Sequence, residues 1–124
     1  MKKILKRQIA ITNTASEVVV CSSGLLANTF SLRLFGLLGK KRLDENAGLL
    51  IKPSSGVHTF GMSFPIDIVS LDKNNRVIGV WGNIGPWKVR GVNLRTRGVL
   101  ELPSGRIGQC RIAIGDQLAF QPVG

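Results

Sequence analysis

Imidazole is almost missing from this chain: His58 is the one histidine in 124 residues. That excludes any site built on two or more histidines, the HExxH zinc motif among them. Cysteine is nearly as scarce. Cys21 and Cys110 are too few for a disulfide framework, and neither has a second cysteine or a histidine close enough in sequence to read as a zinc site. Both read as reduced thiols of a cytosolic protein. A mixed site from His58, Asp67 and a cysteine is not favoured, so neither metal nor cofactor is expected. No run of about 18 apolar residues exists, and no segment reads as a membrane span. The opening lysines are followed by Gln8 to Ala15, too polar to build the apolar stretch of roughly 7–15 residues that a secretory leader needs. The expectation is a cytoplasmic protein. Catalytic signatures are absent too. There is no G-x-S-x-G elbow. The stretch Gly36 to Lys41 fails as a phosphate loop, because Leu34 stands at its first glycine position and Lys41 where magnesium needs a hydroxyl. Aromatic residues are few, 6% of the chain. Their apolar neighbours suggest core, with no RNP-like row beside Arg or Lys.

What the chain does contain is apolar surface, glycine and positive charge. Forty-four per cent apolar against 19% charged residues argues for one globular domain, 1–124, able to bury a core without staples. Fifteen glycines and few alanines favour short strands and tight turns over a helical bundle. Seventeen Lys and Arg against seven Asp and Glu give a formal charge of +10. The excess gathers at Lys2, Lys3, Lys6 and Arg7, at Lys40 to Arg42, and across Lys88 to Arg97. A field of that sign attracts polyanions, anionic lipid or an acidic partner. A solvated surface that keeps the protein in solution is the plainer account.

Hydrophobic periodicity places the elements. Alternation over Gln8 to Thr12 predicts a half-buried strand, and Glu17 to Cys21 a second after a polar turn. Phe30, Leu34, Leu37 and Leu38 recur at helical spacing, so a helix is expected over about 29–39, capped by Asn28 or Thr29 and ended at Gly39. Gly48 to Lys52 reads as a short buried strand. Ile66 to Leu71 is apolar on both faces and reads as a central strand. Asn74-Asn75 tolerates the positive φ of a hairpin that returns through Val77 to Trp81. Pro86-Trp87 opens a loop or edge segment. Gly98 to Pro103 is a further strand, Ser104 to Gln109 a short helical turn, and Gln117 to Gln121 the last strand. About seven short strands and one main helix make a mostly β domain, a small barrel or a sandwich.

Six blocks of the sequence, Arg33 to Gly39, Gly48 to Leu50, His58 to Asp67, Leu71-Asp72, Val99 to Gly105 and Gly115 to Leu118, resemble in order the signatures of the bacterial and archaeal family called domain of unknown function 192. The likeness spans about 28–120, leaving 1–27 as additional N-terminal strands. It implies a compact, largely β domain with a helix near its start, and no activity, cofactor or substrate. Gly91 to Arg97, reading GVNLRTR, is more basic and polar than the alanine-rich approach common among relatives.

Candidate functional residues cluster at the entrance to the central strand. His58, Thr59, Met62 and Asp67, with Arg33 on the expected helix and Glu101 on a later strand, are the candidate ligand-binding set. Asp67 shares a strand face with Val69 and Leu71, so its carboxylate needs a partner, for which Arg33 is the first candidate. Glu101 lies on the opposite strand face from Leu100 and Leu102 and is expected to face solvent. The plainer account of His58 is a ring bonded to backbone near Phe60, and of Asp116 a turn cap. Met62 and Trp87 read as packing residues. Three functions follow, in this order. The first is a non-enzymatic binding or accessory module with a pocket near His58, Met62 and Asp67. The second is an acid/base enzyme using Asp67 and Glu101 on a sugar or anionic ester. The third is a basic module that docks on nucleic acid or an acidic partner.

Overall fold

The computed structural model describes residues 7–27, 43–60 and 62–123. Among them, nine strands and one helix follow in order: β1 Arg7–Asn13, β2 Val18–Ala27, β3 Ala47–Ile51, β4 Val57–His58, β5 Ile66–Leu71, β6 Val77–Ile84, β7 Val89–Arg90, β8 Gly98–Pro103, α1 Arg106–Cys110 and β9 Leu118–Pro122. Seven strands form one sheet in the order β6-β5-β8-β3-β2-β1-β9, while β4 and β7 make a separate ribbon. Only the β2–β3 pair runs parallel. The sheet curls until its two edge strands meet at one corner. There Arg76 bridges Gln117, the Val77 N–H donates to the Asp116 carbonyl at 2.8 Å, and the Leu118 N–H donates to the Asn75 carbonyl at 3.1 Å. The protein is mostly β, a half-barrel.

At the centre of the sheet both faces are buried, and β5 shows why. Val69 and Leu71 enter one apolar cluster with Ile11, Val20, Leu100, Leu102 and Leu118. Ile66 and Ile68 enter a second with Leu49, Val57, Met62, Phe64 and Val99. Period-two alternation sends successive side chains to opposite faces, so a strand apolar on both must lie in the middle of the fold. Each fully buried Leu or Ile contributes roughly 1.5–3 kcal/mol, which makes the second face a core rather than a wetted surface.

Two elements run further than periodicity suggests. Strand β2 continues through Ser22, Ser23 and Gly24 because it is hydrogen-bonded on both sides, to β1 and to β3. A Cβ on Gly24 would lie 3.0 Å from the Cys21 sulfur and 3.1 Å from the Ile9 carbonyl, so close packing requires glycine there. Strand β6 continues to Ile84 through a bulge that places Asn83 at φ 54°. Asn75 takes φ 63° in the β5–β6 hairpin, as the Asn74-Asn75 pair predicts. The helix expected over 29–39, and Arg33 on it, lie outside the described residues. The helical turn expected at 104–109 is α1, which starts two residues later and ends one residue later.

Candidate functional site

Asp67 faces the first apolar cluster and is 1% exposed. Its partners are main-chain groups. One carboxylate oxygen, Oδ1, accepts from the Asn83 N–H at 2.8 Å, inside the β6 bulge. The other, Oδ2, accepts from Gly105 at 3.1 Å and Ile107 at 2.9 Å. Gly105 is the cap residue of α1 and has no side chain to offer it. Asp67 therefore supplies from a distant strand the oxygen that a serine or aspartate cap normally supplies locally. The Ser104 hydroxyl donates to the Asn83 side-chain oxygen at 2.8 Å, closing the same corner.

Glu101 is 0% exposed, against the expectation that it faces solvent. Its strand neighbours are Leu49 and Ile68, both in the second cluster, so its face is covered by that cluster. Asp67 and Glu101 thus leave opposite faces of the sheet. The fold does not bring these two carboxylates together.

Thr59 is wholly buried and holds one loop in place. Its hydroxyl donates to the Gly85 carbonyl at 2.7 Å and accepts from the Lys88 N–H at 2.9 Å. Its own N–H donates to the Lys88 carbonyl at 2.9 Å. Met62 is buried in the second cluster. Of the candidate set, Thr59, Met62, Asp67 and Glu101 are interior, and only His58 among the described members reaches the surface. Asp116 accepts from the Asn13 side-chain amide at 2.8 Å and the Ala113 N–H at 2.9 Å, fixing the turn before β9.

The exposed chemistry lies one layer out. On the β4–β7 ribbon, Val57 pairs with Arg90 and His58 with Val89. Val57 points inward, which turns His58 and Val89 outward. The His58 ring accepts the Phe60 N–H at Nδ1, 3.2 Å. It also stacks at 4.6 Å on the Phe60 ring, which in turn lies 5.4 Å from Trp87. Trp87 is 71% exposed, not packed as its composition suggests. It sits at φ 64°, a left-handed conformation that costs a bulky residue about 1–2 kcal/mol. Thr59 and the ribbon hold it there. Beyond the ribbon the chain displays Val92 at 71% and Leu94 at 94% exposure. Thr96 winds this tip tight, its hydroxyl donating to the Gly91 carbonyl at 2.7 Å. Leu94 borders a hollow of about 390 Å³ shared with Asp72, Lys73, Asn74, Arg95 and Arg97. Between Asp72 and Glu101 the sequence holds Lys73, Arg76, Lys88, Arg90, Arg95 and Arg97 and no acid. Periodicity missed this surface because its residues follow none.

The curled β half-barrel is a fold shared with solved structures and with an uncharacterised family. The family model DUF192, described as an uncharacterized ACR, matches residues 10–120, and the chain belongs to that family. The match takes in most of β1 and all of β2, so these strands are part of the shared domain rather than an addition to it. A curated relative, UPF0127 protein PH1112 of Pyrococcus horikoshii, is 31% identical over 100 residues, 77% of this chain and 84% of the relative. A protein of unknown function from Novosphingobium aromaticivorans has a similar fold, with TM-score 0.75 at 22% identity, over 92% of this chain and 84% of that one. A structure from Sinorhizobium meliloti described as a putative transcription regulator superposes with TM-score 0.74 at 17% identity, over 97% of each chain. Among the described residues no group of three or more His, Cys, Asp or Glu side chains is arranged to hold a metal ion.

Proposed function

We propose that this protein is a non-enzymatic docking module whose contact face is the His58–Phe60–Trp87 shelf and the basic segment that continues from it to Arg97. The observation that carries this reading is Trp87: a large apolar ring, 71% exposed and held out in a left-handed conformation by the loop that Thr59 ties down. Contiguous exposed apolar groups on a monomer mark interaction sites, and an energetically costly conformation persists where surrounding contacts impose it. The acid/base reading is not pursued, since its two carboxylates leave opposite faces of the sheet. Nor do Thr59, Met62 and Asp67 support a pocket, being interior; His58 carries over to the shelf.

Positive charge and stacked rings together favour an anionic partner. One structural neighbour is described as a putative transcription regulator, which makes nucleic acid a class to include in the test. Binding of heparin, oligothymidylate and anionic vesicles is measured against rising salt, for the wild type and for Phe60→Ala and Trp87→Ala. At least one probe should bind, weaken with salt, and bind each variant several-fold less well. Wild-type binding to none of them, or binding that Trp87→Ala leaves unchanged, refutes the docking face.

A further inference from the structure

Resting on that docking face, we infer that its occupant is the surface of an anionic lipid bilayer, into which Trp87, Val92 and Leu94 insert while the neighbouring cations engage the headgroups. Two features separate this occupant from the other polyanions. The first is the kind of apolar group displayed. Trp87 and Phe60 would serve a nucleobase, which offers a flat π-face to stack on. Val89, Val92 and Leu94 would not, for branched aliphatic chains gain little from stacking. They are 48%, 71% and 94% exposed on one continuous segment, and hydrocarbon is the medium that takes them up. The second is the interleaving of charge. Lys88 lies between Trp87 and Val89, and Arg95 and Arg97 follow Leu94. Apolar groups at the acyl boundary with cations one residue away at headgroup level are the pattern of interfacial binding. Tryptophan favours that boundary, its ring amphipathic enough for the headgroup layer.

The tip is also built to penetrate. Asn93 accepts the Arg95 N–H on its side chain at 2.8 Å, and Thr96 ties back to Gly91 at 2.7 Å, so Leu94 rides a closed turn. The Asn93 N–H donates to the Ser55 carbonyl at 3.4 Å, tying this turn to the segment leading into β4. Little backbone freedom remains to be lost on insertion. The mode is peripheral: no helix among the described residues is long and apolar enough to cross a membrane.

The test uses the full chain and flotation with vesicles of phosphatidylcholine alone or with one-third phosphatidylglycerol. Binding should appear on the anionic vesicles only and fall as salt rises. Lipids brominated near the acyl boundary should quench the tryptophan emission. Leu94→Ser should weaken binding on the order of tenfold or more, from the transfer free energy of one leucine side chain. Arg95→Gln should weaken it about fivefold, one headgroup contact. Ile114→Ser removes another exposed apolar side chain, 66% accessible, from outside the segment and should leave binding unchanged. Equal binding to neutral and anionic vesicles, or wild-type affinity in Leu94→Ser, overturns the proposal. Binding to oligothymidylate that depends on Trp87, with none to vesicles, overturns the lipid occupant and leaves the docking face standing. Dependence on Trp87 for no probe at all removes both.

Discussion

Replacing Asp67 by asparagine keeps the shape of the side chain and removes one acceptor and the charge. The carboxylate accepts three main-chain N–H groups, from Asn83, Gly105 and Ile107. An amide satisfies at most part of that set. With its oxygen toward Gly105 and Ile107, its NH2 group meets the Asn83 N–H, and the 2.8 Å bond there is lost. A hydrogen bond to a charged acceptor contributes about 1.5–3 kcal/mol. The two surviving bonds become neutral and lose roughly half their strength, about 1.5–3 kcal/mol together. Against this, the side chain no longer holds a charge out of water, which returns about 1 kcal/mol. The net loss is about 2–5 kcal/mol, a large fraction of the 5–15 kcal/mol typical of a domain, and lowers Tm by roughly 10 °C or more. Urea titration followed by circular dichroism should show a lower midpoint at unchanged slope. The folded fraction should still dock as the wild type does, because Asp67 is interior. A stability within about 0.5 kcal/mol of the parent would refute the reasoning, since surface substitutions away from such networks already span that range.

Thr59→Val preserves shape and removes the hydroxyl that the Lys88 N–H donates to. Amide exchange at Lys88 should accelerate at least tenfold, with a stability loss of about 1–3 kcal/mol; unchanged exchange would mean the loop is held by something else. The Arg76 N–H, and with it that of Asn74, hold the Asp72 carboxyl below the usual carboxylate range. Its contribution is therefore complete above the unfolded pKa and lost as pH falls through the folded one, so Asp72→Asn should flatten stability against pH in the acid limb. An acid limb identical to that of the parent would show that Asp72 contributes nothing. Burial pushes both the Cys21 and the Cys110 thiols up, against a smaller opposing pull from Arg106. At pH 8 an aromatic disulfide reagent should label neither in the native protein and both in denaturant; rapid native labelling would contradict their burial.

Most of the sheet was legible because its strands obey one rule. Ile66 to Leu71 is apolar at every position but Asp67 and Ser70, and only a middle strand tolerates that. Gly98 and Pro103 bracket β8 at its observed ends. The site was less legible. Alternation put Asp67 inside and named the need for a partner, but the partners are main-chain N–H groups 16 to 40 positions away, and a peptide N–H has no sequence signature. Alternation likewise put Glu101 opposite Leu100, yet the residues that bury its face include Leu43, Met62 and Phe64, which lie outside the strands and follow no period. Trp87 looked like core because tryptophan usually is. Its exposure is decided by a left-handed turn and by the Thr59 hydroxyl, two features that composition does not carry.

The charge imbalance has a structural side that separates folding from docking. Asp67, Asp72 and Asp116 all accept main-chain N–H groups, and on Asp72 the bond from the Arg76 N–H outweighs the smaller pull of the Arg95 and Arg76 charges. The cations from Lys73 to Arg97 are correspondingly available, and their mutual repulsion is a cost the folded state carries. Salt should then act oppositely on the two properties. At about 0.1 M the screening length is roughly 10 Å, enough to mute repulsion among surface cations and to weaken attraction to an anionic surface, while buried carboxylate-to-backbone bonds are scarcely touched. Between 50 and 500 mM sodium chloride, Tm should hold or rise by a few degrees as binding to anionic vesicles is lost. A Tm that falls with salt would mean that solvent-screened ion pairs hold the fold together, and the cations assigned to docking would then be needed for folding.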